Sequence, residues 1–405
     1  MSELSYLEKL LDGVKVEWKT LEKVLKRTKG TKITAGQMKA LHKDNAPLKI
    51  FAGGKTVAFV DFKDIPEKDI NREPSIIVKS RGIIEFEYYD KPFSHKNEMW
   101  SYHSNNDAIS IKYIYYFLKI NEGYFQKIGG KMQMPQIATP DTDKFEVPIP
   151  CPDNPEKSLA IQSEIVRILD KFSELTAELT AELNMRKKQY NYYRDQLLSF
   201  DESSVEWKTL LEACDYVDYR GKTPKKTQSG IFLVTAKNIR MGYIDYHASQ
   251  EFISEEDYAI VMRRGLPKKG DVLITTEAPC GFVAQVNREN IALAQRVIKY
   301  RSKNTQLSNS FLKHYLLGSQ FQDKLMQAAT GSTVKGIKGS RLHQLKIPIP
   351  SKVEQDRIVA ILDKFDTLTN SITEGLPREI ELRQKQYEYY RDLLFSFPKP
   401  ETVSN

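Results

Sequence analysis

The sequence predicts an α/β (α+β) protein in which two globular domains are separated by two long antiparallel α-helices forming a coiled coil, with a pseudo-twofold internal repeat. Three observations predict it. ILDKF occurs at 168–172 and again at 361–365, and KQYNYYRD at 188–195 is answered by KQYEYYRD at 385–392. Each of these helical blocks follows a Pro-interrupted apolar edge, VPIP at 147–150 and IPIP at 347–350. A third echo, VEWKTL, opens at Val16 and at Val205. Copies this far apart mark duplicated halves of domain size, not a short solenoid period. The segments between the copies do not resemble each other, so one frame holds two different inserts.

Residues 1–20 read as an N-terminal helix and frame segment, with Leu4, Leu7, Leu10 and Leu11 on the helix and Trp18 in the echo. Residues 21–150 form the first globule. There, β-rich runs at 56–62, 75–78 and 82–88 alternate with turn signals at Gly53-Gly54, Asp90 and Gly129-Gly130, and a helix is expected at 106–118. Residues 151–205 carry a central long helix that runs without glycine from about Pro155 to Phe200, its start capped by a turn at Asn154-Pro155. Leu175, Leu179 and Leu183 recur every four residues through two tandem TAEL units, an apolar stripe that needs a partner. Residues 206–350 form the second globule, with strands expected at 231–234, 271–274 and 296–300.

Residues 351–405 carry the C-terminal long helix, from about Glu354 to Phe397. Its stripe continues through Phe365, Leu368, Ile372, Leu376 and Ile380. Gly375 and Pro377 inside it predict a kink or local break. Two such helices, each lacking a partner within its own globule, most simply pack antiparallel on each other. The copies lie 193 residues apart at ILDKF (168 against 361) and 197 apart at KQY (188 against 385). The second helix therefore gains four residues, about one turn, which keeps its stripe nearly in phase.

A chain of 405 residues can form two or three domains with proper cores. Its 40% hydrophobic and 28% charged content is ordinary for a soluble protein. A net charge of +8 and a pI near 9.0 are compatible with nucleic acid without requiring it. Cys151, Cys214 and Cys280 are widely spaced with no CxxC pair, which argues against a zinc site or disulfide framework and suits a reducing cytoplasm. No apolar run approaches the ~20 residues of a membrane span, and the N-terminus has no apolar signal core, so a cytoplasmic location with no membrane partner is expected. Enzyme motifs fail in turn. GSTVKGIK at 331–338 has Ile337 where a phosphate-binding loop demands lysine, GxGxxG and HExxH do not occur, and the six histidines show no metal-ligand spacing. No catalytic residue, metal site or cofactor is predicted.

Basic, glycine-containing loops are the stronger signal. In the first globule Lys23, Lys26, Arg27, Lys29 and Lys32 lie near the start, while Lys55 and Lys131 follow Gly-Gly pairs. In the second, Arg220, Lys222, Lys225 and Lys226 crowd a Gly/Pro/Thr loop, and Lys335 and Lys338 bracket Gly336. Glycine lets a backbone approach phosphates while long basic side chains reach base edges. Any single lysine is more simply solvated charge. What favours the DNA-binding reading is position, because the loops at 129–131 and 331–338 each lie shortly before their apolar edge. The tyrosines Tyr190, Tyr193, Tyr387 and Tyr390, with Leu175, Leu179, Leu183, Leu368 and Ile372, are read as helix-packing or partner-interface residues, since they recur in both frames while the inserts differ.

Taken together, the sequence resembles the specificity subunits of type I restriction–modification enzymes. The resemblance is carried by the IPIP edges, QSEIVRILDKF (162–172), EQDRIVAILDKF (354–365), the TAEL units and the KQYxYYRD blocks. GKTP (221–224), AKNIRMGYID (236–245), GDVLIT (270–275) and ATGSTVKGIK (329–338) extend it over the second globule. The TAEL units resemble the type IC branch. The resemblance implies two target-recognition domains, residues 21–150 and 206–350, each reading one half of a split double-stranded DNA site. It also implies two methyltransferase subunits docked on the helices, with restriction subunits joining through them, and S-adenosylmethionine and ATP chemistry in those partners. The rival readings are a stand-alone nuclease or methyltransferase, which would need an acidic metal cluster or cofactor loop, and a coiled-coil scaffold, which would not need two unlike globules with matched basic loops.

Overall fold

The computed structural model describes residues 6–130, 133–219, 221, 224–371 and 374–398. The chain divides into two compact units, one comprising Met1–Thr176 with Leu382–Asn405 and the other Ala177–Glu381.

Repetition in the sequence is repetition in the structure. In the first unit Val16–Thr20 pairs antiparallel with Glu146–Pro150, placing Trp18 opposite Pro148. In the second, Glu206–Thr209 pairs antiparallel with Lys346–Ile349, placing Trp207 opposite Pro348. The VEWKTL echo and the IPIP edge are thus the two strands of one ribbon. Each ribbon is two-stranded, so the prolines fall where no second neighbour needs their missing N–H.

Each unit then builds a four-stranded antiparallel sheet of the same order. In the first the strands run Lys26–Thr28, Trp100–His103, Ser75–Lys79, Glu85–Tyr89, and in the second Cys214–Asp218, Val297–Ser302, Val272–Thr276, Cys280–Gln285. Ser75–Lys79 and Val272–Thr276 are buried along their whole length, which explains why Ile76, Ile77 and Val78, and Val272, Leu273 and Ile274, run apolar without alternation. Each unit has a smaller sheet holding one parallel pair, Leu48–Phe51 with Phe93–His95 and Ile231–Val234 with Ile291–Leu293. The expected strand at 231–234 forms with those bounds. The run at 82–88 forms a strand at Glu85–Tyr89, starting later because Gly82–Ile84 belong to the hairpin tip and ending one residue farther on.

The helix expected at 106–118 runs instead from Ile111 to Ile120, because Ser110 caps it, its Oγ accepting from the Tyr113 N–H at 3.3 Å. Asn309–Leu317 is its counterpart, capped by Ser308. A glutamine from each long helix holds these caps. Gln162 accepts from the Ser110 N–H and donates to the Ala108 carbonyl, and Gln355 does the same with Ser308 and Gln306.

The first long helix, Pro155–Leu197, is continuous over 43 residues, with Asn154 Oδ1 accepting from the Lys157 N–H at its start. The expectation that the long helices lack partners in the globules is corrected. Ile161, Ile165 and Leu169 lie in the core of the first unit, and Ile358 and Leu362 in that of the second. A four-residue spacing at the start of each helix, Ile161, Ile165 and Leu169 and again Ile358 and Leu362, docks it on its own globule, while Leu175, Leu179 and Leu183 farther along are half-buried. Helix ends contribute as well, with Tyr190 and Leu198 in the second core and Leu394, Phe395 and Phe397 in the first. Within the first unit Phe172 stacks on Tyr390 with centroids 5.3 Å apart, and within the second Phe365 stacks on Tyr190 and Tyr193 at 6.1 and 5.7 Å. In both, the early part of one helix meets the late part of the other, as antiparallel neighbours do.

The four extra residues of the second copy do not add a turn in phase. One helix ends at Asn370 and the next starts at Leu376. Gly375 adopts φ +83°, and a Cβ there would meet the Thr367 carbonyl oxygen at 2.5 Å, while Pro377 sits in the first turn of the new helix, where no N–H is needed.

Candidate nucleic-acid interface

In the second unit the predicted glycine loop closes on itself. Thr330 and Gly336 exchange backbone hydrogen bonds of 2.8 and 2.9 Å. Gly331 has φ +109°, and a Cβ there would stand 2.1 Å from the Val334 carbonyl oxygen, so only glycine serves. Buried Ile337 anchors the loop, and its N–H donates to the Thr276 carbonyl at 2.9 Å, seating the loop on the tip of the hairpin between Val272–Thr276 and Cys280–Gln285. Lys335 and Lys338 remain exposed. A groove of about 310 Å³ lies there, lined by Glu277, Arg296, Gly331, Val334, Gly336 and Lys338 among others. The residue before Arg296, Gln295, donates to the Gly221 carbonyl at 2.7 Å. Gly221, in the other basic segment singled out in the second globule, is thereby tied to the residue next to this groove.

The first unit repeats this construction. Gln136 donates from its N–H to the Gly129 carbonyl at 3.1 Å, and Ile137 donates to the Ser80 carbonyl at 3.0 Å, the counterpart of Ile337 on Thr276. A Cβ on Gly129 would fall 2.3 Å from Ile84 Cδ1 and 2.9 Å from the Gln136 carbonyl, so close packing of loop on hairpin fixes that glycine. Lys29 and Lys32 flank Gly30-Thr31, whose backbone abuts His95, with the Thr31 N–H donating to the His95 carbonyl at 2.8 Å. Both lysines are exposed, and Lys32 and Asn97 share the lining of a groove of about 500 Å³. Lys55 is exposed at the tip of the hairpin joining Leu48–Phe51 to Val57–Val60, on the smaller sheet.

Not every predicted cation is equally available. Lys226 pairs with Glu251 at 3.0 Å, whereas Lys225 is exposed, with its backbone N–H held by Asp257 at 2.9 Å. Lys131, Arg220, Lys222 and Ile372 lie outside the described residues. Leu175, Leu179, Leu183, Leu368 and Tyr387 are half-buried, and Tyr190 is buried with its hydroxyl 3.4 Å from His314 Nδ1. Tyr193 and Tyr390 combine exposed edges with the stacking contacts above, while Tyr192 and Tyr389 are 61% and 65% exposed. The sequence reading missed Arg81, Gln136, Glu277 and Arg296, which stand at the junction of hairpin tip and loop. Their only local signal is a turn between two strands, and the junction exists only once the pairing register is known.

Among the described residues no group of three or more His, Cys, Asp or Glu is placed to hold a metal ion, and no helix is long and apolar enough to cross a membrane. Burial pushes the Cys214 thiol up to about 12, away from nucleophilic chemistry.

Comparison with known proteins bears on this doubled face. The family profile of the type I restriction modification DNA specificity domain matches residues 15–186 and again 207–382. The EcoR124I/EcoR124II specificity subunit of Escherichia coli is 44% identical over the full length of both chains. The EcoprrI specificity subunit of the same organism is 37% identical, covering 92% of this chain and 93% of its own. Among solved structures, the type I restriction–modification S subunit of M. genitalium shares the fold with a TM-score of 0.60 at 17% identity, covering 96% of this chain and 98% of that one. With two matched specificity domains and relatives of this identity over more than nine-tenths of their length, the chain belongs to the specificity subunits of type I restriction–modification systems.

Proposed function

We propose that this chain is the non-catalytic DNA-reading subunit of its complex, recognising a bipartite double-stranded target with one unit per half-site. The observation that carries this reading is the repeated junction of hairpin tip and glycine loop, made twice by unlike inserts on one frame. In the same reading two methyltransferase subunits dock on the long helices, whose exposed Tyr192 and Tyr389 recur at matching positions, and restriction subunits join through them. A solved structure titled for complex assembly of a type I system has this fold at a TM-score of 0.54, which supports the docking role. Bond-breaking chemistry and its cofactors then reside in the partners, and the complex works in the cytoplasm. Residues 21–150 and 206–350 are the two readers, with 1–20, 151–205 and 351–405 as frame.

The decisive experiment replaces residues 21–150 with the corresponding segment of a relative and sequences the methylome of the host. One half-site should change and the other persist; a change in both, with the complex assembled, overturns the modular reading. Affinity should also be salt-dependent, with a log–log slope near −5 for about six phosphate contacts.

The TAEL units act in this reading as a ruler within the continuous helix Pro155–Leu197. One further unit adds about 6 Å and about 40° beyond a full turn; at about 3.4 Å per base pair that reach spans one to two base pairs, and the rotation matches the twist of one. A three-unit variant should keep both half-sites and widen the unspecified spacer by one base pair. An unchanged spacer in an active complex leaves these leucines with a packing role alone.

A further inference from the structure

Corresponding hydrogen bonds and strand pairing place the two junctions in register, residue for residue. Ser80 and Thr276 each accept at their carbonyl from the isoleucine of the glycine loop, which makes Arg81 and Glu277 equivalent at the hairpin tip. Ser80 Oγ donates to the Glu98 carbonyl at 2.9 Å, and Thr276 donates from its N–H to the Arg296 carbonyl at 2.9 Å, which makes Glu98 and Arg296 equivalent at the entry to the neighbouring strand. Strand pairing agrees, with Val78 opposite Trp100 and Ile274 opposite Ile298. Gln136 and Gly336 occupy the same place in the loop, bridged to Arg81 and Glu277 respectively.

The charges at these positions are inverted. The first unit has arginine at the tip and glutamate at the strand entry; the second has glutamate at the tip and arginine at the strand entry. All four side chains are exposed. Arg81 holds Gln136 Oε1 through Nε and Nη2, at 3.2 and 2.9 Å, leaving the Gln136 amide nitrogen to donate outward. Glu98 is held by Lys96 at 2.6 Å. Arg296 lies 3.7 Å from Glu277, with φ +70°, a left-handed conformation that an arginine adopts only where its surroundings hold it. Arginine forks match the two acceptors of guanine, glutamine pairs with adenine, and glutamate accepts from the cytosine amino group. An identical scaffold with inverted charges therefore presents a different donor and acceptor pattern to the same place on a duplex.

We infer that Arg81 with Gln136 in the first unit, and Glu277 with Arg296 in the second, are base-reading side chains that make the two half-sites different. Arg81 reads guanine and Gln136 adenine in one half-site; Arg296 reads guanine and Glu277 cytosine in the other. The surrounding lysines supply sequence-independent attraction to phosphate. This inference rests on the DNA-reading function proposed above.

The test uses the assembled complex with its methyltransferase subunits. Methylome sequencing of the host defines the target, and binding is then measured on duplexes carrying that target with each specified base replaced in turn. Arg81→Ala and Gln136→Ala should each lower affinity for the cognate duplex on the order of 10- to 100-fold and flatten discrimination at one position of a single half-site. Glu277→Ala and Arg296→Ala should do so in the other half-site only. Arg81→Lys keeps the charge and loses the fork, so it should relax base discrimination while the salt dependence persists. Variants that assemble and bind with wild-type base preference at every position overturn the inference and leave the DNA-reading function intact. A wild-type complex that shows no sequence preference overturns the function itself.

Discussion

In the first unit Asp170, the aspartate of ILDKF, accepts a hydrogen bond from Tyr116 Oη at 2.5 Å and pairs with Lys112 at 2.7 Å. In the second, Asp363 of the same motif accepts from His314 Nε2 at 2.7 Å and lies 3.5 Å from Lys313. The comparison recurs elsewhere. Tyr102 donates to Asp143 at 2.5 Å, whereas Tyr300 is paired with His343 Nδ1 at 2.7 Å. Where the first unit has Ser75 at the start of its central strand, the second buries Asp271, gripped by both nitrogens of the Arg301 fork at 2.5 and 2.6 Å with Lys299 at 3.6 Å. The frame keeps the backbone and its glutamine ties, while the inserts change what is charged and what can titrate. Two units of one fold should therefore differ in what breaks them.

The largest difference is expected at Asp271. Asp271→Ala leaves Lys299, with a side chain only 5% exposed, without its carboxylate and should cost about 3–5 kcal/mol. Ser75→Ala at the equivalent position should cost at most about 1.5 kcal/mol. Denaturant unfolding followed in a variant that retains only Trp207 reports the second unit, and one that retains only Trp100 reports the first. Equal losses would show that the buried ion cluster is not what distinguishes them.

The frame itself should respond symmetrically. Gln162 and Gln355 are fully buried and make the same two ties. Gln162→Ala and Gln355→Ala should each cost about 1–3 kcal/mol by stranding a backbone donor and acceptor, in the first and second units respectively. Unequal effects in the same assay would mean that the repeat is one of shape without shared energetics.

Acidification sharpens the contrast further. Burial holds His314 below its ordinary value of 6.5, against the opposing pull of Asp363, with Lys313, Asp366 and the Tyr190 hydroxyl also facing it. Its native state takes up a proton later than the unfolded chain does. The second unit is therefore fully stabilised above about pH 6.5 and loses up to about 1.4 kcal/mol per pH unit below that, until the depressed value is passed. Asp363 is also held low, so its contribution goes only in stronger acid, below its ordinary 3.8. Tyr116, which fills the equivalent place, is pushed up by burial and by Asp170 and does not titrate in this range. Thermal melts from pH 7.5 to 5.5 should show this loss in the second unit and its abolition in His314→Gln.

The smallest effect is expected at Tyr192 and Tyr389, whose exposed rings should cost about 0.5 kcal/mol or less when replaced by alanine. Weakened assembly with methyltransferase subunits, measured by titration of the intact variants, would assign these rings to the partner interface.

The sequence by itself determined the repeated frame, the extent of the central helix from Pro155, the break near Gly375 and Pro377, and the loops that need glycine. Each of these is written in local periodicity or in a backbone preference that one residue type enforces. It also exposed the basic loops as candidates, because charge beside glycine is visible without any fold. Tertiary structure alone decided that VEWKTL and IPIP pair, that Gln295 carries the Gly221 loop to the Arg296 groove, and that Arg81 corresponds to Glu277 and Glu98 to Arg296. Those facts depend on strand register between segments distant along the chain. A one-residue slip would turn every side chain to the opposite face, and no local pattern records which slip the buried core rejects.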